Sequence, residues 1–154
     1  CLVGSEMCIR DRHKGAIMEY SKERMDDLMR AYDEYISSCD YIRMSEVYKI
    51  IVNMPSRRFW VSDIRAALII SAMMRGKTDL STMCPLKKEM YEEIYNRVFK
   101  LQEEYPELTI SELCAKVIAQ PAPKFYLTPG SAKVMVCKAR KQWIQEKWKR
   151  LRLL

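Results

Sequence analysis

The sequence has a single histidine, His13, only four glycines, and no two cysteines close enough to form a CxxC pair. Each scarcity removes a class of chemistry. A zinc site needs clustered Cys or His ligands, so no metal is expected, and no cofactor either. A phosphate-cradling loop needs glycines at fixed spacing, and here they are scattered. The longest apolar run, Ala66 to Ile70, is far short of the roughly 20 residues of a membrane-spanning helix. Paired-carboxylate motifs are missing too. Asp26-Asp27, Glu92-Glu93 and Glu103-Glu104 fall on amphipathic stretches with Lys and Arg nearby, the pattern of solvated helix faces. Catalysis needs a nucleophile, acid, base or metal in a pocket. With those candidates gone, an enzyme is not expected.

What is present favours helix. The 154 residues are 49% apolar, and Met, Leu, Lys, Arg, Glu and Ala are abundant. The opening twelve residues, CLVGSEMCIRDR, resemble the in-frame translation of a transposase-type sequencing adapter. Residues 1–17 are therefore read as a non-native or disordered segment, with Met18 a candidate start. Setting them aside leaves Cys39, Cys84, Cys114 and Cys137, which read as reduced thiols of a cytoplasmic protein.

The strongest internal signal is an echo at an offset of 66 residues. Met25 to Arg75 lies on Tyr91 to Lys141 without a gap. Ser45-Glu46 meets Ser111-Glu112, Pro55 meets Pro121, and Arg58-Phe59-Trp60-Val61-Ser62 meets Lys124-Phe125-Tyr126-Leu127-Thr128. Upstream, Met25, Leu28, Met29, Tyr32 and Tyr35 fall on Tyr91, Ile94, Tyr95, Val98 and Leu101, the three-four spacing of an amphipathic helix. Any two helices share that period, but the proline and aromatic stretch is too particular to arise from periodicity alone.

Each copy reads as three helices. The first runs from about Tyr20 to Ser37, and in the second copy from Pro85, suited to a first helical turn, to about Tyr105, where Pro106 ends it. A short second helix follows near Ser45 to Asn53 and Ser111 to Ala119, with the serines as N-cap acceptors and Thr109 with Glu112 as a capping box. Pro55 and Pro121 stop it. Ser62 and Thr128 cap the third helices, Pro129 fitting the first helical position. Arg75-Gly76-Lys77-Thr78-Asp79 supplies a glycine stop and a linker. The expected fold is all-α: two tandem three-helix units, residues 18–78 and 79–154, six helices in all.

Charge separates the copies. Of 27 basic and 20 acidic residues, eight basic and one acidic lie from Ala132 onward, which leaves 19 against 19 elsewhere. The whole net charge of +7 thus sits in the last segment, pointing to an anionic partner. The third helix of copy one, Ile64 to Met74, is apolar almost all round and is expected to be buried. Its counterpart carries Lys133, Lys138, Arg140 and Lys141.

A three-helix unit whose last helix is capped after a proline-containing turn resembles the helix-turn-helix DNA-binding domains. The resemblance implies a third helix entering the major groove of double-stranded DNA, with Ser131 and Lys133 near bases. Lys138, Arg140, Lys141 and Lys147 would then meet phosphates or bases, and Arg57, Arg58 and Lys124 in the turns would meet backbone. One departure is plain: Met54 to Val61 exceeds the turn of about 3 to 4 residues in the standard motif. The chain also resembles small proteins of bacterial and phage genomes, which implies a mobile-element setting and points to no particular activity. Phe59-Trp60 and Phe125-Tyr126 are read as stapling the turns to the core rather than stacking on bases. Past Trp143 an apolar stripe, Ile144, Trp148 and Leu151, continues and calls for cover. Internal packing or a homodimer through apolar helix faces ranks ahead of a membrane surface. The rival to DNA binding is a helical protein–protein interaction or assembly module.

Overall fold

The computed structural model describes residues 2–77 and 80–153, with side chains described from Tyr20 on. The first helix, expected from about Tyr20, begins at Leu2 instead. The side chains of residues 1–17, His13 among them, and residues 78 and 79 lie outside the described ones. Among the described residues the chain is all-helical, with no strand: α1 (Leu2–Ser38), α2 (Met44–Ile51), α3 (Asp63–Met74), α4 (Pro85–Glu104), α5 (Ile110–Ile118) and α6 (Pro129–Arg152), plus a 3-10 turn at Leu80–Thr82.

Local chemistry sets most of the helix limits. Ser62 Oγ accepts from the Arg65 N–H and Thr128 Oγ1 from the Ser131 N–H, each satisfying a donor that a helix start leaves free. Thr109 and Glu112 form a reciprocal capping box. Gly76 takes φ +64° and ends α3, with the Lys77 N–H reaching the Ala72 carbonyl at 3.0 Å. An L side chain there would be strained, which is why a glycine holds the position. The expectation of serine N-caps on the second helices needs correction: Ser111 lies inside the first turn of α5, whose N-cap is Thr109, and α2 departs further. Its N-cap is Arg43, with no side-chain cap, and Ser45 lies inside the first turn. The Arg43 carbonyl already accepts from Glu46 and Val47, so the helix starts before the serine.

Packing couples the two halves of the chain. Phe59, Val61, Ala66, Ile69 and Ile70, from α3 and the segment before it, are buried with Met90, Tyr91, Ile94 and Val98 of α4 and Leu113 and Val117 of α5. Phe125, Ala132 and Val136, from α6 and its leading segment, are buried with Leu28, Ala31 and Tyr32 of α1 and Val47, Tyr48 and Ile51 of α2. Each third helix therefore packs on the first two helices of the other half: α3 on α4 and α5, α6 on α1 and α2.

The leading segments cross beside one another. Ser56 and Ala122 exchange both backbone hydrogen bonds at 3.0 Å, forming an isolated antiparallel bridge. The Phe59 N–H donates to the Ile118 carbonyl and the Phe125 N–H to the Val52 carbonyl, each at 3.0 Å. Under the 66-residue offset Ser56 becomes Ala122, Phe59 becomes Phe125 and Val52 becomes Ile118. Each bond thus maps onto its mate, which makes the crossing a local two-fold. Arg30 donates to the Pro55 carbonyl at 3.1 Å and Arg97 to the Pro121 carbonyl at 2.9 Å, fastening the two crossing segments alike.

α3 is not buried all round as expected. α3 turns Ala66, Ile69 and Ile70 inward, but Ile64 and Leu68 are each 62% exposed. Only one side of the helix meets α4 and α5, so its all-apolar composition exceeds what the core covers.

Candidate nucleic-acid interface

α6 is anchored by a short apolar face and then leaves the body. Ala132 and Val136 are fully buried, Met135 and Ala139 half-buried, and from Arg140 to Leu153 every residue is exposed. At 1.5 Å per residue those 14 positions form an arm about 20 Å long. Trp143, Ile144, Trp148 and Leu151 on it are all open to solvent.

The cations expected to meet DNA fall into two groups. Lys133, Lys138, Arg140, Lys141 and Lys147 are exposed on α6, and none takes part in an ion pair among the described residues. Lys133, Arg140 and Lys147 are seven apart, about two helical turns, and so line up along one side. Lys141 sits about 100° round from Arg140, on the neighbouring side. Lys147 lies over the Trp143 ring at 5.1 Å. Ser131 is exposed, and its hydroxyl accepts from Thr128 Oγ1 at 2.9 Å, so it is part of the cap.

The turn cations are engaged internally. Lys124 is 2.6 Å from Glu89, 5.5 Å over the Tyr126 ring, and its side chain only 23% exposed. Arg58 is half-buried over Trp60 at 5.4 Å and Tyr20 at 5.9 Å. Arg57 remains exposed, 3.7 Å from Asp27, with its N–H donating to that carboxylate at 2.9 Å. These three hold the crossing segments to α1 and α4.

The start of α6 lies beside the start of α2. Met44, Ser45 and Tyr48 line a depression of about 340 Å³ with Pro129, Gly130 and Lys133. Each second helix packs on the third helix of the other half, α2 on α6 and α5 on α3. A larger cleft of about 1020 Å³ opens between α3, α4 and α5, walled by Trp60, Ile64, Leu68 and Met90 and rimmed by Arg58 and Arg65.

Burial also perturbs several hydroxyls and one thiol. Tyr20 and Tyr126 are each pushed up to about 12 by desolvation, and burial lifts Cys114 to about 11. Cys39, Cys84, Cys114 and Cys137 are all free thiols, and among the described residues no cluster of His, Cys, Asp and Glu could hold a metal ion. No described helix is long and apolar enough to cross a membrane.

Compared with known proteins, the chain matches no family model, no curated protein and no solved structure.

The sequence reading missed Asp27. Expected on a solvated face, it is fully buried. Its carboxylate accepts from Arg57 N–H at 2.9 Å, Trp60 Nε1 at 3.1 Å and Arg30 Nε at 3.0 Å, with Arg30 Nη2 at 2.8 Å. A buried carboxylate is tolerated when donors surround it in this way. A recurrence was available as a signal. The 66-residue offset pairs Asp27 with Glu93, and each is followed within four residues by an arginine, Arg30 or Arg97.

Proposed function

We propose that this protein binds double-stranded DNA, with α6 as the recognition element of a helix-turn-helix-like unit. In this reading the chain is two duplicated three-helix units that have exchanged third helices, and α6 is presented by α1 and α2. It acts by binding rather than catalysis, in the cytoplasm, as a regulator or accessory protein of a phage or mobile element.

One observation carries the reading: Lys133, Lys138, Arg140, Lys141 and Lys147, five of the eight exposed cations on α6, have no ion-pair partner among the described residues, in a segment that holds the net charge of the whole chain. Phosphate neutralisation is the term such a surface supplies. The adjacency of the α2 and α6 starts supports a helix-turn-helix-like disposition, because that motif sets its second helix against the backbone and the N-terminal residues of its third at base edges.

Five phosphate contacts give a slope of log affinity against log salt of about −4.5, so affinity falls about 500-fold between about 50 and 200 mM salt. Fluorescence anisotropy with a labelled duplex reads this directly. Replacing Lys133, Lys138 and Lys141 together with alanine makes the slope shallower by about 2.7. Absence of binding at the lowest salt, or affinity that does not respond to salt, overturns the proposal. The exposed apolar side chains Ile64, Leu68, Ile144 and Trp148 favour a second reading as an assembly module. That reading is selected if DNA binding is absent and Ile64→Ser or Leu68→Ser changes the oligomeric state on sedimentation.

A further inference from the structure

DNA binding leaves the apolar side chains of the α6 arm unused. Val134, Cys137, Lys141, Ile144, Trp148 and Leu151 are separated by three, four, three, four and three residues, the spacing of a two-stranded coiled-coil seam. All six are exposed. At 100° per residue they centre about 130° from Ala132 and Val136, the buried anchors. The seam therefore faces away from the contact with α1 and α2, and past Cys137, whose thiol lies beside the Tyr48 hydroxyl, it runs free along the arm.

The flanks of the seam name its partner. Lys133, Arg140 and Lys147 border one edge, and Lys138, Gln145 and Arg152 border the other. In a coiled coil these flanking positions face their counterparts on the second helix and set partner choice. A second copy of this arm would set cation against cation at every flanking level except where Gln145 falls, which disfavours self-pairing. A bilayer suits a broader apolar face than this stripe, which carries Lys141 within it. A helix with apolar residues along its own seam and Glu or Asp on both flanks satisfies both the stripe and its borders.

We propose that α6 is one strand of a heterotypic coiled coil, and that its occupant is an acidic amphipathic helix of a partner protein. The docking stands on the seam and its flanks. That it excludes DNA, by covering Lys133, Arg140 and Lys147, rests on the DNA-binding reading above.

The test uses the full chain and a synthetic peptide of about four heptads, with Ile and Leu along the seam and Glu on both flanks. A control peptide keeps every Glu but carries serine at the seam positions. Tryptophan emission and titration calorimetry are expected to show the seam peptide binding at least about tenfold more tightly than the control. Ile144→Ser with Leu151→Ser should remove that preference while changing duplex affinity less than about twofold. Both positions are exposed, and far-ultraviolet circular dichroism checks that the variant keeps its helices. The proposal is overturned if the two peptides bind equally, or if the double variant binds the seam peptide as the parent does. It is also overturned if the parent chain dimerises through Ile144 and Leu151, or if vesicles containing about 30% phosphatidylserine capture it through those residues. Peptide binding with no DNA binding sinks the DNA reading and leaves this one standing.

Discussion

Severing the chain between Lys77 and Thr78 tests the packing of α3 on α4 and α5 and of α6 on α1 and α2. The fragment of residues 78–154 would keep α4, α5 and α6 but lose Phe59, Val61, Ile69 and Ile70, which are at most 8% exposed and fill the space against α4 and α5. At roughly 1.5–3 kcal/mol for each large apolar side chain buried, the loss is about 6–12 kcal/mol. That equals the whole stability of a small domain, about 5–15 kcal/mol. The fragment should therefore be without fixed tertiary structure, or should dimerise by passing α6 onto the α4 and α5 of a second copy. Mixing it with residues 1–77 should restore one cooperative unit of the parent mass. Near-ultraviolet circular dichroism and light scattering after gel filtration read both states. A monomeric 78–154 fragment that melts cooperatively near the parent temperature would refute the argument, because α6 would then fold back on its own half.

Two further perturbations follow from the buried polar groups. Asp27→Ala removes the acceptor shared by Arg30, Arg57 and Trp60. Urea unfolding should show a loss of about 1–3 kcal/mol, the cost of leaving Trp60 Nε1 and the Arg57 N–H without their acceptor, while the part-exposed Arg30 and Arg57 guanidinium groups turn to water; a change below about 0.5 kcal/mol would assign Asp27 no structural role. The tyrosines predict behaviour in alkali. Tyr20 and Tyr126 have folded values of about 12, above the ordinary 10.0, so burial of their neutral hydroxyls contributes stability fully below pH 10. That contribution is lost as pH rises from 10 towards 12. Absorbance at the tyrosinate band should therefore show a late fraction among the nine tyrosines, which merges with the rest near pH 10 in denaturant. A single native transition near pH 10 would contradict the burial.

The site was legible in part. Lys133, Lys138, Arg140, Lys141 and Lys147 could be assigned to an exposed helix because charge without compensating acid has no place in a core. Arg58 and Lys124 could not be sorted from them by charge. What separates them is a ring or carboxylate supplied from elsewhere in the chain, Trp60 and Tyr20 for one and Glu89 for the other. Asp27 was misjudged for the same reason, since its donors Arg57 and Trp60 lie thirty and thirty-three residues downstream.

By itself the sequence determined the helical class, the six helices and the caps at Ser62, Thr109 and Thr128, because these depend on groups within one turn of each other. Tertiary structure alone decided which half each third helix joins. Related surfaces on α1–α2 and α4–α5 offer α3 and α6 similar apolar seats, so the apolar pattern is compatible with either pairing. The choice lies in the crossing of the two leading segments, where Ser56 and Ala122 satisfy each other's backbone groups. No side-chain pattern announces such a bond; it exists only once residues 66 apart have met.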